Sequence, residues 1–201
     1  MKLAVKRFFQ GVALLIALPA ATLSLFGRLK LVYTMFAQFF ALGPGMPGSY
    51  LRAGYYKLTL RGCSIDITLS FGTYFVEPDT YVGPFVSIGS YGVIGRSAIG
   101  RGCQIASHVL IPSGRRQHVR NADGSLSNLA KDRITIGADC WIGDGAIIMS
   151  DLGDGVTVGA GSVVTKPVPS SSLVVGNPAR PVHSAPTPPD NAIEVVSHDR
   201  S

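Results

Sequence analysis

Apolar residues return every six positions through the middle of the chain. Val76, Val82, Ile88 and Ile94 form one run; Ile99, Ile105 and Ile111 form a second after a step of five. The rhythm stops at Ile111 and resumes with Ile136, Ile142 and Ile148, then Val158 and Val164. Gly usually follows the anchor, and a small residue such as Thr80, Ala98, Cys103 or Cys140 usually lies four beyond it. A period of six fits neither a helix nor a simple hairpin array. It fits short strands joined by tight corners and wound about an axis, each anchor pointing inward onto its counterpart in the next coil. The chain is therefore mainly β, a parallel β-helix over residues 63–183 with a loop at 112–135 ejected from it. The step of ten from Ile148 to Val158 predicts a tightened corner at "SDLGDG".

The first third follows another pattern. Nineteen residues, Phe8 to Phe26, carry no charge, and a second apolar run covers 31–42. A helix rises about 1.5 Å per residue, so the first run could just cross a hydrocarbon core of about 30 Å. Pro19 near its middle predicts a break or kink, and Lys and Arg flank both ends, which gives no orientation. These features together predict a membrane-associated region at 1–62. Its expected parts are a hairpin at 8–42 that dips in and returns to the same face, and an interfacial helix at 49–62, "SYLRAGYYKLTLRG". A cleaved signal peptide and a buried soluble helix pair are the alternatives.

Charge sharpens this division. Residues 1–65 hold eight basic residues and no acid, although the whole chain is only +6. A basic segment could meet nucleic acid, but this one is also the most apolar part of the chain, which points to an anionic membrane surface instead. The 24 Gly show no Gly-X-Y period, so collagen is excluded. Three Cys, at 63, 103 and 140, have no zinc spacing and no C-x-x-C pair. Cys103 and Cys140 fall at small inward positions and read as core; Cys63 precedes the repeat. No metal is expected. The Pro-rich, polar stretch 184–201 predicts a disordered tail.

"ITIGADCWIGDGAIIM", "VTVGAGSVVTKPVP" and "VVGNPARPV" resemble the hexapeptide-repeat acyltransferases. They are closest to the branch holding maltose, galactoside and xenobiotic acetyltransferases and exopolysaccharide O-acetyltransferases. The resemblance covers roughly residues 65–183. It implies a left-handed β-helix, a homotrimer, acetyl-CoA lying between neighbouring prisms, and a loop that carries a catalytic His. The loop "IPSGRRQHVRNADG" would then be the place of the chemistry.

Attack of a sugar hydroxyl on a thioester needs a base, and His suits the task with an ordinary pKa of about 6.5. His118 stands in the loop where the family carries its base. Many relatives place the His where this chain has Arg116, or have both, which leaves His118 alone here. His108, on the last coil before the loop, is the second candidate. By motif, the resemblance assigns the donor to Asp144 after "WIG", the Ala160 amide in "GAG", Thr165 and Lys166 in "VTK", and Arg180 in "NPAR". Arg115 and Arg116 would meet an anionic acceptor, and Trp141 would wall the groove. These readings imply an acetyl-CoA-dependent O-acetyltransferase acting on a sugar hydroxyl of an exopolysaccharide, a lipopolysaccharide or a lipid-linked precursor. It would work at the cytosolic leaflet of the inner membrane. The alternatives are a transferase of a small soluble acceptor and a non-catalytic β-helix scaffold.

Overall fold

In a computed structural model, the described residues are 2–113, 118–120, 123, 125–128 and 132–182. Three helices, α1 (Lys2–Leu23), α2 (Lys30–Ala41) and α3 (Gly45–Thr59), precede a parallel β-solenoid of short strands.

The solenoid has three faces. The first stacks Gly62–Cys63, Tyr81–Val82, Ser97–Ile99 and Ile134–Ile136, continued by single bridges at Leu152 and Val168. The second runs from Thr68–Leu69 through Ser87–Ile88, Gln104–Ile105, Trp141–Ile142 and Thr157–Val158 to Leu173–Val175. The third stacks Tyr74–Phe75, Val93–Ile94, Leu110–Ile111, Ile147–Ile148 and Val163–Val164. One residue of each strand is buried on the axis, giving columns such as Leu69, Ile88, Ile105, Ile142, Val158 and Val174.

These columns revise the expected register in three places. Phe75, not Val76, is the buried anchor of its strand. Ser97, not Ala98, fills the small inward place before Ile99. Cys63 does not precede the repeat but is the first anchor of the first coil, and burial pushes its thiol up to about 12. Cys103 and Cys140 lie buried on the axis, each Sγ facing the carbonyl of Gly137.

Six residues always separate anchors on the first and second faces, and again on the second and third. Every irregularity lies at the corner from the third face back to the first. Val82 follows Phe75 by seven, Ile99 follows Ile94 by five, and Leu152 follows Ile148 by four, as Val168 follows Val164. Leu152 is thus the anchor hidden in the step of ten. From the second coil on, the two regular corners each hold a residue in the left-handed region, for example Phe85, Asp139 and Ser171 at one and Tyr91, His108 and Gly145 at the other. That conformation fixes the turn and hence its length. Among the described residues the third corner holds none, so its length is free to vary, and the loop leaves there.

The helices cap the first coil. A solenoid end exposes core and unpaired strand groups. Here the Phe75 amide donates to Tyr56 Oη, and Tyr33 Oη donates to the Phe75 carbonyl (3.0 Å). The Leu69 amide donates to Ser49 Oγ, and the Leu69 carbonyl accepts from Arg52 (2.9 Å). Tyr33, Phe40, Tyr55, Tyr56 and Phe75 form a continuous aromatic cluster beneath the coil. α3 therefore differs from the interfacial helix expected at 49–62. It starts at Gly45, and Arg52, Tyr55 and Tyr56 turn into the protein. α1 also passes through Pro19 without a break and ends at Leu23.

Gln10, Ala13, Ala17, Ala20 and Ala21 make the buried stripe of α1. A Cβ on Gly54 would come within 3.0 Å of the Ala13 backbone, so α1 and α3 approach as closely as glycine allows. The first turns of α1 are tied to Asp66. Lys6 Nζ lies 2.9 Å and Arg7 Nη2 3.1 Å from its carboxylate, and Gln10 Nε2 donates to it and to the Ile65 carbonyl. The hydrogen bonds from Lys6 and Gln10 hold the Asp66 carboxyl at about 2. A pKa depressed on folding adds stability above the unfolded value near 4, which is lost as pH falls through about 2. Asp66→Asn is expected to cost about 1 kcal/mol at pH 7, since Lys6 and Arg7 are solvent-screened. Urea midpoints of the two proteins should converge as pH falls from 5 to about 2; a gap that persists would mean that charge is not what ties α1 down.

Candidate active site

The loop departs after Ile111 and rejoins at Ile134, at the third corner. Its base is fastened by one carboxylate among three arginines. Asp79 lies 2.7 Å from Arg96, 2.7 Å from Arg133 and 3.6 Å from Arg61. Burial opposes ionisation of Asp79, but the Arg96 hydrogen bond and the three cationic charges outweigh it and lower the pKa. Arg133 also lies over the Tyr81 ring, 5.0 Å from its centroid. On the other side of the base, Ser113 Oγ accepts the Arg96 amide (2.9 Å). The sequence reading missed this cluster. Asp79 and Arg96 lie one coil apart at the corner of variable length, so only the stacked coils bring them together.

Beyond the base, His118–Arg120 pairs antiparallel with Leu126–Asn128, with His118 opposite Asn128. The loop is thus partly a β-hairpin. Asp123 Oδ1 accepts from the Ser125 amide (2.9 Å) and hydroxyl (2.6 Å) at its tip. His118 is placed by its backbone alone, and Arg115 and Arg116 lie outside the described residues.

His108 sits at the corner between the second and third faces, with φ 58°. It stacks on Tyr91 (centroids 5.2 Å apart), which meets Phe71 edge-on one coil lower. One and two coils above, the same corner is Gly145 and Gly161, where an added Cβ would meet nothing within 4 Å. An exposed aromatic and imidazole ladder therefore ends in an open trough. Asp144 borders that trough; its Oδ1 accepts the Ser107 amide (2.8 Å). Trp141 is half-exposed on the second face, between Gln104 and Thr157.

The donor residues expected from sequence fall in two places. Asp144 and Ala160 are exposed one coil apart at the trough. Lys166 and Arg180 line one cavity of about 290 Å³ at the C-terminal end, with Pro167, Pro169 and Val174. Thr165 adjoins Lys166 and is half-buried. Arg180 is positioned by pairing with Val175 and donates to the Ala179 carbonyl (3.1 Å). The two cationic side chains suit phosphate groups, and the trough suits a slender chain with amide groups.

A three-faced parallel solenoid with one ejected loop defines the class. Residues 133–166 match the bacterial transferase hexapeptide family (six repeats). That match lies within the solenoid, from the base of the loop to the residue pair after the Val163–Val164 strand. A protein of Escherichia coli K12, provisionally named lipopolysaccharide biosynthesis O-acetyl transferase WbbJ, is 29% identical over 119 residues. The match covers 54% of this chain and 59% of that one. The bifunctional protein GlmU of Acidithiobacillus ferrooxidans is 30% identical over 125 residues, 58% of this chain and 27% of its own length. The chain thus spans less than two thirds of these curated relatives. The crystal structure of a maltose O-acetyltransferase from Clostridium difficile 630 shares the fold, with a TM-score of 0.64 at 23% identity. That match covers 81% of this chain and 89% of that one.

Proposed function

We propose that this protein is an acetyltransferase that moves the acetyl group of acetyl-CoA to a hydroxyl of a sugar in an exopolysaccharide, lipopolysaccharide or lipid-linked glycan precursor. The observation that carries this reading is the joint placement of two features: a loop bearing His118 leaves the solenoid one coil before Trp141 and Asp144, and Lys166 and Arg180 share a cavity beyond them. The sequence relationship to WbbJ supports a glycan acceptor.

In this mechanism His118 takes the proton of the acceptor hydroxyl as its oxygen attacks the thioester carbonyl. The oxyanion of the tetrahedral intermediate is met by backbone N–H groups. Its collapse breaks the C–S bond, the CoA thiolate leaves, and the ester remains on the sugar. No acyl-enzyme is needed, because the thioester is already activated. Lys166 and Arg180 take the phosphates of the donor; Asp144 and the Ala160 amide meet its pantetheine arm, and Thr165 lies between. Arg115 and Arg116 meet an anionic acceptor, and Trp141 walls the groove against a second copy in a homotrimer. The first third holds the enzyme on the cytosolic leaflet of the cytoplasmic membrane, where lipid-linked sugars are presented.

Calorimetry on detergent-purified, folded protein tests the class. Micromolar acetyl-CoA binding, competed by CoA and weakened at least tenfold in Lys166→Ala/Arg180→Ala, is expected. Loss of two charge-assisted contacts to phosphate is enough for that factor. No binding of either ligand would leave a scaffold and overturn the proposal.

A further inference from the structure

We infer that α1 and α2 lie flat in one leaflet, neither crossing the membrane nor re-entering it, and that lipid acyl chains cover their outward side. This deepens the membrane part of the proposed function and rests on it.

The first observation is the extent of apolar exposure. Phe8, Leu15 and Leu23 on α1, Phe26 in the turn, and Leu31 and Phe39 on α2 are all exposed, Leu15 at 71% and Leu31 at 86%. Further exposed apolar residues adjoin them on both helices. Exposed apolar surface on this scale marks an interaction face.

The second observation is the charge around that surface. From Phe8 to Gly27 there is no charged residue, and the first 65 residues hold eight basic residues without one acid. Lys6 and Arg7 share a single carboxylate, and Arg28 and Arg61 line a cavity of about 530 Å³ beside the turn. Apolar surface rimmed by net positive charge matches the acyl region and anionic headgroups of a leaflet.

The third observation excludes a span. α1 is long and apolar enough to cross a membrane by length and composition, but its start and the turn after its end are held to the first coil, and its middle to α3. Lys6, Arg7 and Gln10 hold its start to Asp66 and Ile65. Ala13 holds its middle to Gly54. At its end, a Cβ on Gly27 would collide with the Thr59 carbonyl and Pro78. A crossing helix would carry one end about 30 Å from the other along the membrane normal, breaking the first or the last of these attachments. The same geometry opposes a hairpin inserted tip-first, because the α1–α2 turn packs on the solenoid.

Site-directed spin labelling tests this. Phe8→Cys, Leu15→Cys and Thr22→Cys, seven residues apart and so on one outward side of α1, each add one exposed thiol, while Cys63, Cys103 and Cys140 are buried. The probe membrane is phosphatidylcholine–phosphatidylglycerol vesicles. Equal depths for the three labels, about 5–10 Å below the headgroups, are expected. Depth that changes steadily from Phe8 to Thr22 would overturn the flat arrangement and leave the membrane reading standing. Failure to associate with vesicles, with self-assembly in buffer burying all three labels, would overturn both and assign the face to a second copy of the chain. Acetyl-CoA binding measured on the same samples reports separately on the catalytic reading.

Discussion

His118→Ala is expected to lower acetyl transfer by roughly 10²–10⁴-fold and to leave acetyl-CoA affinity unchanged. A sugar hydroxyl is a poor nucleophile until its proton is being removed, and an imidazole with a pKa near 6.5 is neutral and basic enough to do this at pH 7. The residues proposed for the donor, Lys166 and Arg180 among them, are on the solenoid, whereas His118, the proposed base, is on the hairpin that leaves it. Base and donor site are therefore separable. Wild-type kcat/KM should fall tenfold per pH unit below the imidazole pKa, as the base becomes protonated, and the residual activity of His118→Ala should lose that limb. His108→Ala is the paired control. His108 stacks on Tyr91 at a corner, and its removal should change the acceptor KM more than kcat. Near-normal turnover of His118→Ala, with the acid limb retained, would sink its role. A large loss of kcat in His108→Ala instead would move the base to the ladder.

The sequence carried the solenoid because each coil repeats a local rule. An anchor on the axis with a small residue or Gly beside it shows in six consecutive letters, and the rule fails only where the third corner changes length. That corner also explains the errors. Val76 looked like an anchor because counting back by six from Val82 assumes a regular corner, and Phe75 lies seven before it. Leu152 was hidden because two residues are missing from the same corner three coils later. The cap could not be read this way. Tyr33, Tyr56 and Arg52 do their work on backbone groups of Phe75 and Leu69, at sequence distances of 17 to 42 residues. Nothing in "SYLRAGYYKLTLRG" separates an aromatic turned toward lipid from one turned toward a strand edge. The site was half legible for a similar reason. Lys166 and Arg180 could be assigned by motif, but that they share a cavity depends on Arg180 pairing back onto Val175. The Asp79 cluster joins residues whose common corner appears only once the coils are stacked.

Arg52→Met is expected to destabilise the protein by about 3–5 kcal/mol, more than any other single change in the helical region. The Arg52 side chain is only 1% exposed and has no carboxylate partner in its hydrogen bonds. Its Nη1 donates to the carbonyls of Phe40 (3.0 Å), Ala41 (3.3 Å) and Gly43 (2.7 Å), at the C-terminal end of α2. Its Nε and Nη2 both donate to the Leu69 carbonyl of the first coil, at 3.1 and 2.9 Å. Burial lowers the Arg52 pKa, yet a guanidinium stays protonated at any working pH. Its charge is balanced by the negative end of the α2 dipole and by the oxygens around it. Methionine fills much of the volume but supplies no donor, so four carbonyls lose the guanidinium at once in a place water does not reach, although those of Phe40 and Ala41 keep the amides of Gly43 and Gly72. Lysine would keep the charge and reach some of these oxygens, but an ammonium lacks the planar fork that serves α2 and Leu69 together. Arg52→Lys should therefore recover less than half of the loss. Urea unfolding in detergent measures both variants, and amide exchange shows where the loss falls. Faster exchange at Phe75 and Leu69, with the Ile142 coil still protected, is the expected pattern, because the cap closes only the first coil. A loss below about 1 kcal/mol for Arg52→Met would show that the carbonyls find other donors, and that the aromatic cluster alone holds the helices to the solenoid.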